Sequence, residues 1–388
     1  MKVGIFMAYF DNAATTFPKP EIVYNYTDDF YRENGVNSGR GNYKKANSAN
    51  ELITNTRKSL LDLFHCSNKK VVFTPSATIA SNIILQGMKI KEKMNIYISP
   101  FEHNAIIRVL HYLNKKYDIK IINLNVDKTT MEYDYERIRY QFSDEHPDIM
   151  IINHASNVCG LIAPIEELCK MSKKYHCINI IDMSQTAGLI DANLSSDIFD
   201  YAIFAGHKTL YSEFGVGGFI CKSDCELNPL LYGGTGFDSS NKELPNSIPE
   251  KFEIGSHNIR AIASLYASLL WINEIGISNI YSKEFDNKLK LLNILSKFDN
   301  IKLVPSSTKN SIGVVSCLFK NLNCDNVGNI LNDFNISVRT GLHCAPDAHK
   351  FLGTFPHGTV RFSVGYFNDD KDFQELEDAL NYIYENTL

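Results

Sequence analysis

The sequence predicts an α/β protein: a mostly parallel, seven-stranded sheet flanked by helices, followed by a smaller α+β domain. Two observations predict it. Over roughly the first half of the 388 residues, short apolar runs alternate with amphipathic stretches, the pattern of βαβ units whose strands are covered on both faces. Beyond residue 257 the order changes to two long helices and then hairpin-like strands mixed with helices.

Ala46, Ala49, Leu52, Ile53, Thr56, Leu60, Leu63 and Phe64 recur at helical spacing, which predicts a helix of about 20 residues. VVF (71–73), NIYIS (95–99), IKIINLNV (119–126), DIMIINHAS (148–156), INIID (178–182), YAIFAG (201–206) and GGFIC (217–221) read as strands. Helices are expected from Ala77 and over EHNAIIRVLHYL, YERIRYQF and PIEELCKMSKKYH. An Asn-, Ser-, Gly- and Pro-rich stretch, 233–256, marks the change of region. Helices over 258–276 and 283–298 follow, then strands IKLVP and SIGVVSCLFK, a helix, and the pair GTVRFSVGY and DFQELEDALNYIYEN. Domains are expected over 15–257 and 258–388, with segment 1–14 joining the second.

The composition, 44% hydrophobic and 21% charged, is that of a globular chain and excludes collagen, coiled coil and wholesale disorder. A formal charge of −5, from 39 basic and 44 acidic residues, gives no reason to expect nucleic acid or anionic lipid as partner. Small-molecule chemistry is the expectation. Nine scattered cysteines do not form a secreted disulfide framework and point to a reducing compartment, the cytoplasm. At the N-terminus, Asp11 interrupts the apolar run before a signal peptide could be completed. No stretch approaches the roughly 18 to 20 apolar residues of a membrane span, and Cys221 and Cys225 lack the second ligand pair of a zinc site.

Five short segments carry candidate chemistry. In FAGHKTLYSEFGVGG (204–218), Lys208 follows a strand in a Gly-rich turn, where a lysine can lose its proton and form a Schiff base, or simply be solvated. Asp182 in IIDMSQTAG ends an apolar strand; it suits a buried cationic partner such as a pyridinium nitrogen, or a helix N-cap. PSATIASN (75–82) opens a helix, where free amides favour a phosphate and Ser76 or Thr78 can equally cap. In SVRTGLHCAPDAHK (337–350), Cys344 sits in a Gly- and Pro-bounded loop, where Arg339 or a protonated histidine would favour the reactive thiolate. Arg361 lies inside the apolar strand GTVRFSVGY and demands a carboxylate or phosphate, whether substrate or structural ion pair.

Taken together, GHK, DxxQ, RTGxHCA and the Arg-bearing terminal strand resemble the aminotransferase class V family, fold-type I pyridoxal-phosphate proteins. Within it they resemble the group II cysteine desulfurases, from YFDNAATTFPKP (9–20) to GTVRFSVGYFN (358–368). The resemblance implies pyridoxal 5'-phosphate as cofactor, with Lys208 its Schiff-base lysine, Asp182 the partner of the pyridine nitrogen, and Gln185 bonded to the phenolic oxygen. It implies that His103 stacks on the ring and that Ala77, Thr78 and His207 hold the phosphate. Ser256, where relatives usually have Thr, would reach the phosphate of a neighbouring subunit, implying a homodimer with shared sites. Asn157 and Arg361 would bind the substrate carboxylate, and Cys344 would be the nucleophile.

The implied reaction converts L-cysteine to L-alanine. Lys208 takes the Cα proton, Cys344 attacks the substrate sulfur, and the resulting persulfide passes to an acceptor protein or small thiol. Selenocysteine would follow the same course. Three departures stand out: Ile79 replaces a common Glu, Ala205 replaces a hydroxyl residue before GHK, and Ser212-Glu213 replaces Gly-Pro. A selenocysteine lyase or another cysteine C–S lyase is the second reading. A sulfur-transfer scaffold without turnover is the third, opposed by the retention of Lys208, Asp182 and Arg361, which cost stability when buried unpaired.

Overall fold

Alternation along each strand decides how the large sheet is covered. In Ile149–Asn153, Ile149 and Ile151 enter one apolar cluster while Met150 and Ile152 enter another. Successive side chains of a strand point to opposite faces, so a run that is apolar throughout requires helices on both sides. The structure is a computed structural model and describes residues 7–39, 41, 43–236, 240–306 and 310–387. Residues 1–6, which the reading of the N-terminus uses, and 237–239 of the boundary stretch lie outside the described residues.

The chain opens with β1 (Ala8–Tyr9), α1 (Glu21–Asn34), α2 (Lys44–Leu63), β2 (Lys70–Thr74), α3 (Ala77–Gly87), β3 (Asn95–Ile98), α4 (Asn104–Tyr117) and β4 (Lys120–Asn123). It continues with α5 (Tyr135–Asp144), β5 (Ile149–Asn153), α6 (Ile165–Lys173), β6 (Ile178–Asp182), β7 (Tyr201–Ala205) and β8 (Gly217–Cys221). These strands after β1 form one seven-stranded sheet, ordered β2-β8-β7-β6-β5-β3-β4, in which only β8 runs antiparallel to its neighbours. The side chains of α3 and α4 pack on one face, and those of α2, α5 and α6 on the other.

Next come α7 (Ile259–Ile275), α8 (Ile277–Leu295), β9 (Ile301–Leu303), β10 (Val314–Phe319), α9 (Cys324–Asp333), β11 (Ile336–Ser337), β12 (Arg339–Gly341), α10 (Pro346–Leu352), β13 (Thr359–Ser363) and α11 (Asp370–Thr387). A second sheet, β12-β13-β10-β9, is antiparallel. Helix α8 begins at residue 277, six earlier than the spacing predicts, because Gly276 at φ 86° ends α7 and starts α8 directly. The N-terminal strand β1 pairs with β11, and Phe10 bonds with Ser337 and Ser363, so this segment lies on the smaller sheet. Among the described residues no single helix is long and apolar enough to cross a membrane.

Candidate active site

Ligands of an open α/β sheet bind beyond the carboxyl ends of its strands. Here the last residues of β5, β6 and β7, which are Asn153, Asp182 and Ala205, line a chamber of about 210 Å³. The opposite wall comes from the smaller sheet, through Arg339, His343 and Arg361. Of the sequence-predicted residues, Ala77, Thr78, His103, Asn157, Asp182, Gln185, His207, Lys208 and Arg361 all line this one space.

Asp182 is buried at the end of β6, and its Oδ1 accepts the Ser184 N–H at 2.9 Å. No helix follows it directly, so the N-cap alternative has nothing to cap. Lys208 lies three residues past β7, surrounded by protein, and this desolvation holds its amine below the ordinary lysine value. Asp182 opposes the shift, while the Arg361 and Arg339 guanidinium groups reinforce it. The turn carrying Lys208 is gripped through its carbonyls. The His207 carbonyl accepts from Thr16 N at 3.2 Å, Thr15 Oγ1 at 2.8 Å and Lys19 Nζ at 2.8 Å. The Lys208 carbonyl accepts from Thr16 Oγ1 at 2.9 Å.

Helix α3 starts under the chamber. Ser76 caps it, accepting from Ile79 N, so the capping alternative holds for Ser76 while the first-turn residues Ala77 and Thr78 face the cavity. Their amides have no intrahelical acceptor, as at any helix start. At Gly217, where β8 begins, any Cβ would lie 2.9 Å from the Ala77 nitrogen, so only glycine lets the strand approach. His103 is the N-cap of α4, its Nδ1 accepting from Ala105 N at 3.0 Å. Burial and the neighbouring Lys208 charge bring His103 down to about 4, and burial brings His207 to about 3. Both rings are therefore neutral, and His207 stacks on Phe214 with centroids 4.5 Å apart.

Arg361 is fully buried on β13, donating from Nη2 to Asp11 at 2.6 Å and from Nη1 to the Asn157 carbonyl at 3.0 Å. The structural ion pair is thus real, and Nε is left without a partner. Its register partner on β12 is Arg339. Directly opposed residues share a face of the sheet, and like charges there are unfavourable, which makes the pair a place for an anion. Arg339 spends part of its charge on Cys344, donating from Nη2 to Sγ at 3.3 Å. The protonated histidine that the sequence offered as an alternative is corrected: burial and Arg361 push His343 far below the ordinary histidine range. Residues 343 and 344 both adopt left-handed backbone, φ 47° and 58°; His343 lines the chamber, whereas Cys344 lines the recess beside it.

Two amides have fewer free donors than expected. Gln185 Nε2 donates to the Ala13 carbonyl at 2.9 Å, and Asn157 Nδ2 to the His343 carbonyl at 2.7 Å; each keeps one further N–H. Ser256 is not in this chamber. It is exposed beside a groove lined by Arg57, Glu253 and His257. Ile79 also turns away, joining Ile83, Leu231 and Ile254 in an apolar groove, which accounts for an aliphatic residue there. Glu213 neither lines the chamber nor stands free: Arg260 grips both its oxygens at 3.2 Å. Sequence reasoning missed Lys19, Asp11 and Asn153, whose roles depend on chain segments that meet only in the fold.

A lysine at a parallel strand end, an aspartate on the neighbouring strand and an open helix N-terminus define a fold-type I α/β enzyme. The chain belongs to the aminotransferase class-V family, whose model matches residues 8–376. Among curated proteins it is similar to a probable cysteine desulfurase of Methanothermobacter thermautotrophicus, 28% identical over 97% of this chain and 94% of that one. A cysteine desulfurase of Haloferax volcanii is 25% identical over 97% and 89%. Among solved structures, the apo cysteine desulfurase of Thermococcus onnurineus superposes with a TM-score of 0.90 at 26% identity, covering 98% of this chain and 95% of that one. An Escherichia coli cysteine desulfurase shares the fold at TM-score 0.86 and 22% identity, over 98% and 96%.

Proposed function

We propose that this protein is a pyridoxal 5'-phosphate-dependent cysteine desulfurase that converts L-cysteine to L-alanine and carries the sulfur on Cys344 as a persulfide. The observation that carries this reading is a desolvated lysine in a small chamber whose wall arginine, Arg339, holds a cysteine in the adjoining recess. The residues fit the cofactor on their own chemistry: a buried carboxylate, two helix first-turn amides with no intrahelical acceptor, an orphaned His207 Nδ1 and a lysine amine all line the one chamber. Lys208 would hold the aldehyde carbon and Asp182 the pyridine nitrogen, with His103 and Gln185 on the ring. Ala77, Thr78 and His207 would hold the phosphate. The cofactor, when bound, supplies an electron sink for the substrate Cα.

The chain's own groups do the rest. Arg361, through its free Nε, and the second Asn157 N–H bind the substrate carboxylate. Lys208 Nζ, whose hold on a proton is weakened by burial, takes the Cα proton. Cys344 Sγ, beside Arg339, attacks the substrate sulfur; the new S–S bond forms as the substrate's Cβ–S bond breaks, and alanine leaves. A homodimer with shared sites is part of the reading, because Ser256 lies in an open groove rather than in its own chamber. Nine unpaired cysteines support a reducing, cytoplasmic location.

The test is a product assay with L-cysteine and cofactor. Alanine and Cys344 persulfide should appear in equal amounts, and Cys344→Ala should lose both by about 10³-fold or more, the scale of removing a nucleophile's step. Pyruvate and ammonia in place of alanine would mean β-elimination and defeat the proposal.

A further inference from the structure

Beyond Cys344 the chamber opens into a second recess of about 390 Å³, which the chemistry above does not use. The two spaces share Thr78, His103 and Ala105. Its walls are two helical ladders. Thr78, Asn82 and Gln86 on α3 and Asn104, Arg108 and Tyr112 on α4 each recur at i, i+4 and i+8, the spacing that puts side chains on one face of a helix. Cys344 lines the recess, its carbonyl accepting the Asn104 N–H at 2.7 Å.

The α3 wall is neutral and already satisfied: Gln86 Nε2 donates to Asn82 Oδ1 at 2.7 Å, and Asn82 Nδ2 to the Thr78 carbonyl at 2.9 Å. On the α4 wall the exposed Arg108 has no hydrogen bond or ion pair among the described residues. No Asp or Glu lines the recess, and α4 itself carries no acid. The recess therefore presents one uncompensated guanidinium close to a sulfur-bearing side chain and is open to solvent.

We propose that this recess is the acceptor subsite and that it takes a thiol bearing a carboxylate, paired with Arg108 while its sulfur meets Cys344. The inference rests on the desulfurase reading. In the transfer, the acceptor thiol gives its proton to solvent, and its thiolate attacks the outer sulfur of the Cys344 persulfide. An S–S bond forms to the acceptor as the Cys344 Sγ–S bond breaks, the electron pair staying on Cys344 Sγ beside Arg339. The acceptor leaves as a persulfide, and no further oxidant or reductant is needed.

The holoenzyme is loaded with cysteine, freed of excess, and discharged in a single turnover by mercaptoacetate, mercaptoethanol or cysteamine. These thiols differ in intrinsic nucleophilicity, so the quantity read is each one's rate in an Arg108 variant divided by its rate in the wild type. Arg108→Glu should slow mercaptoacetate about three- to fivefold, the range of an exposed ion pair. It should leave mercaptoethanol unchanged and speed cysteamine. Arg108→Gln should slow mercaptoacetate alone, and added salt should erase the wild-type preference. Equal ratios for all three thiols would overturn the inference while leaving the desulfurase reading intact. Absence of any Cys344 persulfide in the wild type would overturn that reading and the inference with it.

Discussion

Lys208 and Cys344 are carried by two sheets that share no strand. Lys208 follows β7 of the large sheet, and donors from Thr15, Thr16 and Lys19 hold the carbonyl just before it. Cys344 follows β12 of the small sheet, on two consecutive left-handed residues and half-buried. The first arrangement fixes a group that must stay dry to be a base. The second leaves a group on the wall of the outer recess, in contact with the chamber residue Arg339, as the proposed sulfur carrier must be. Rigidity and access are thus assigned to different walls of one site.

Replacing each of the two arginines on the small-sheet wall should separate these roles most sharply. Arg361→Ala removes one partner of a buried pair and leaves Asp11 beside a void, a loss of about 3–5 kcal/mol by analogy with other broken buried pairs. Chemical denaturation should show it, together with a raised KM for cysteine. Arg339→Ala, at a half-buried position, should cost under about 1 kcal/mol and slow persulfide formation while KM moves less. If the two variants lose stability equally, the division between a structural and a sulfur-handling arginine fails.

Acid titration probes the dry wall next. An ordinary histidine binds its proton near 6.5, whereas His103 waits until about 4 and His207 until about 3 in the folded chain. Between those values the unfolded chain holds more protons, so stability is complete above about pH 6.5 and falls as pH drops toward 4. Melting temperature measured across this window should decline with acid, and His103→Gln should flatten the decline. An unchanged slope in that variant would mean the ring is already solvated.

The seven strands, most of the helices between them and the chamber residues were legible because apolar runs and strand-end chemistry are local. Helix α1 was not: its buried residues are only Val23 and Thr27 in a polar, aromatic-rich stretch, too thin a stripe to show a period. Strand β12 is three residues long, and none of them is fully buried. Lys19 could not be read at all, since its acceptor, the His207 carbonyl, lies 188 residues away. That ammonium has only neutral oxygens within bonding reach, and burial lowers it to about 7.

Glu213 is the opposite case, a departure from the family pattern that the sequence leaves without a role and the fold places by packing. It stands five residues after Lys208 and adds a charge on a loop close in sequence to the site. In the fold its carboxylate turns to α7, where Arg260 takes both oxygens at 3.2 Å, and its own N–H donates to Ser264 Oγ at 3.0 Å. Both side chains keep solvent contact, 28% and 43% exposed, so screening limits what the pair contributes to under about 1 kcal/mol. Glu213→Gln retains the length and the main-chain bond, and should therefore lower the melting temperature slightly and only at low salt. Cofactor binding and the kcat for alanine should be unchanged, because the charge removed is already neutralised away from the chamber. A shift in the absorbance of the bound cofactor in this variant would put Glu213 back on the Lys208 wall and make the altered turn a part of the chemistry.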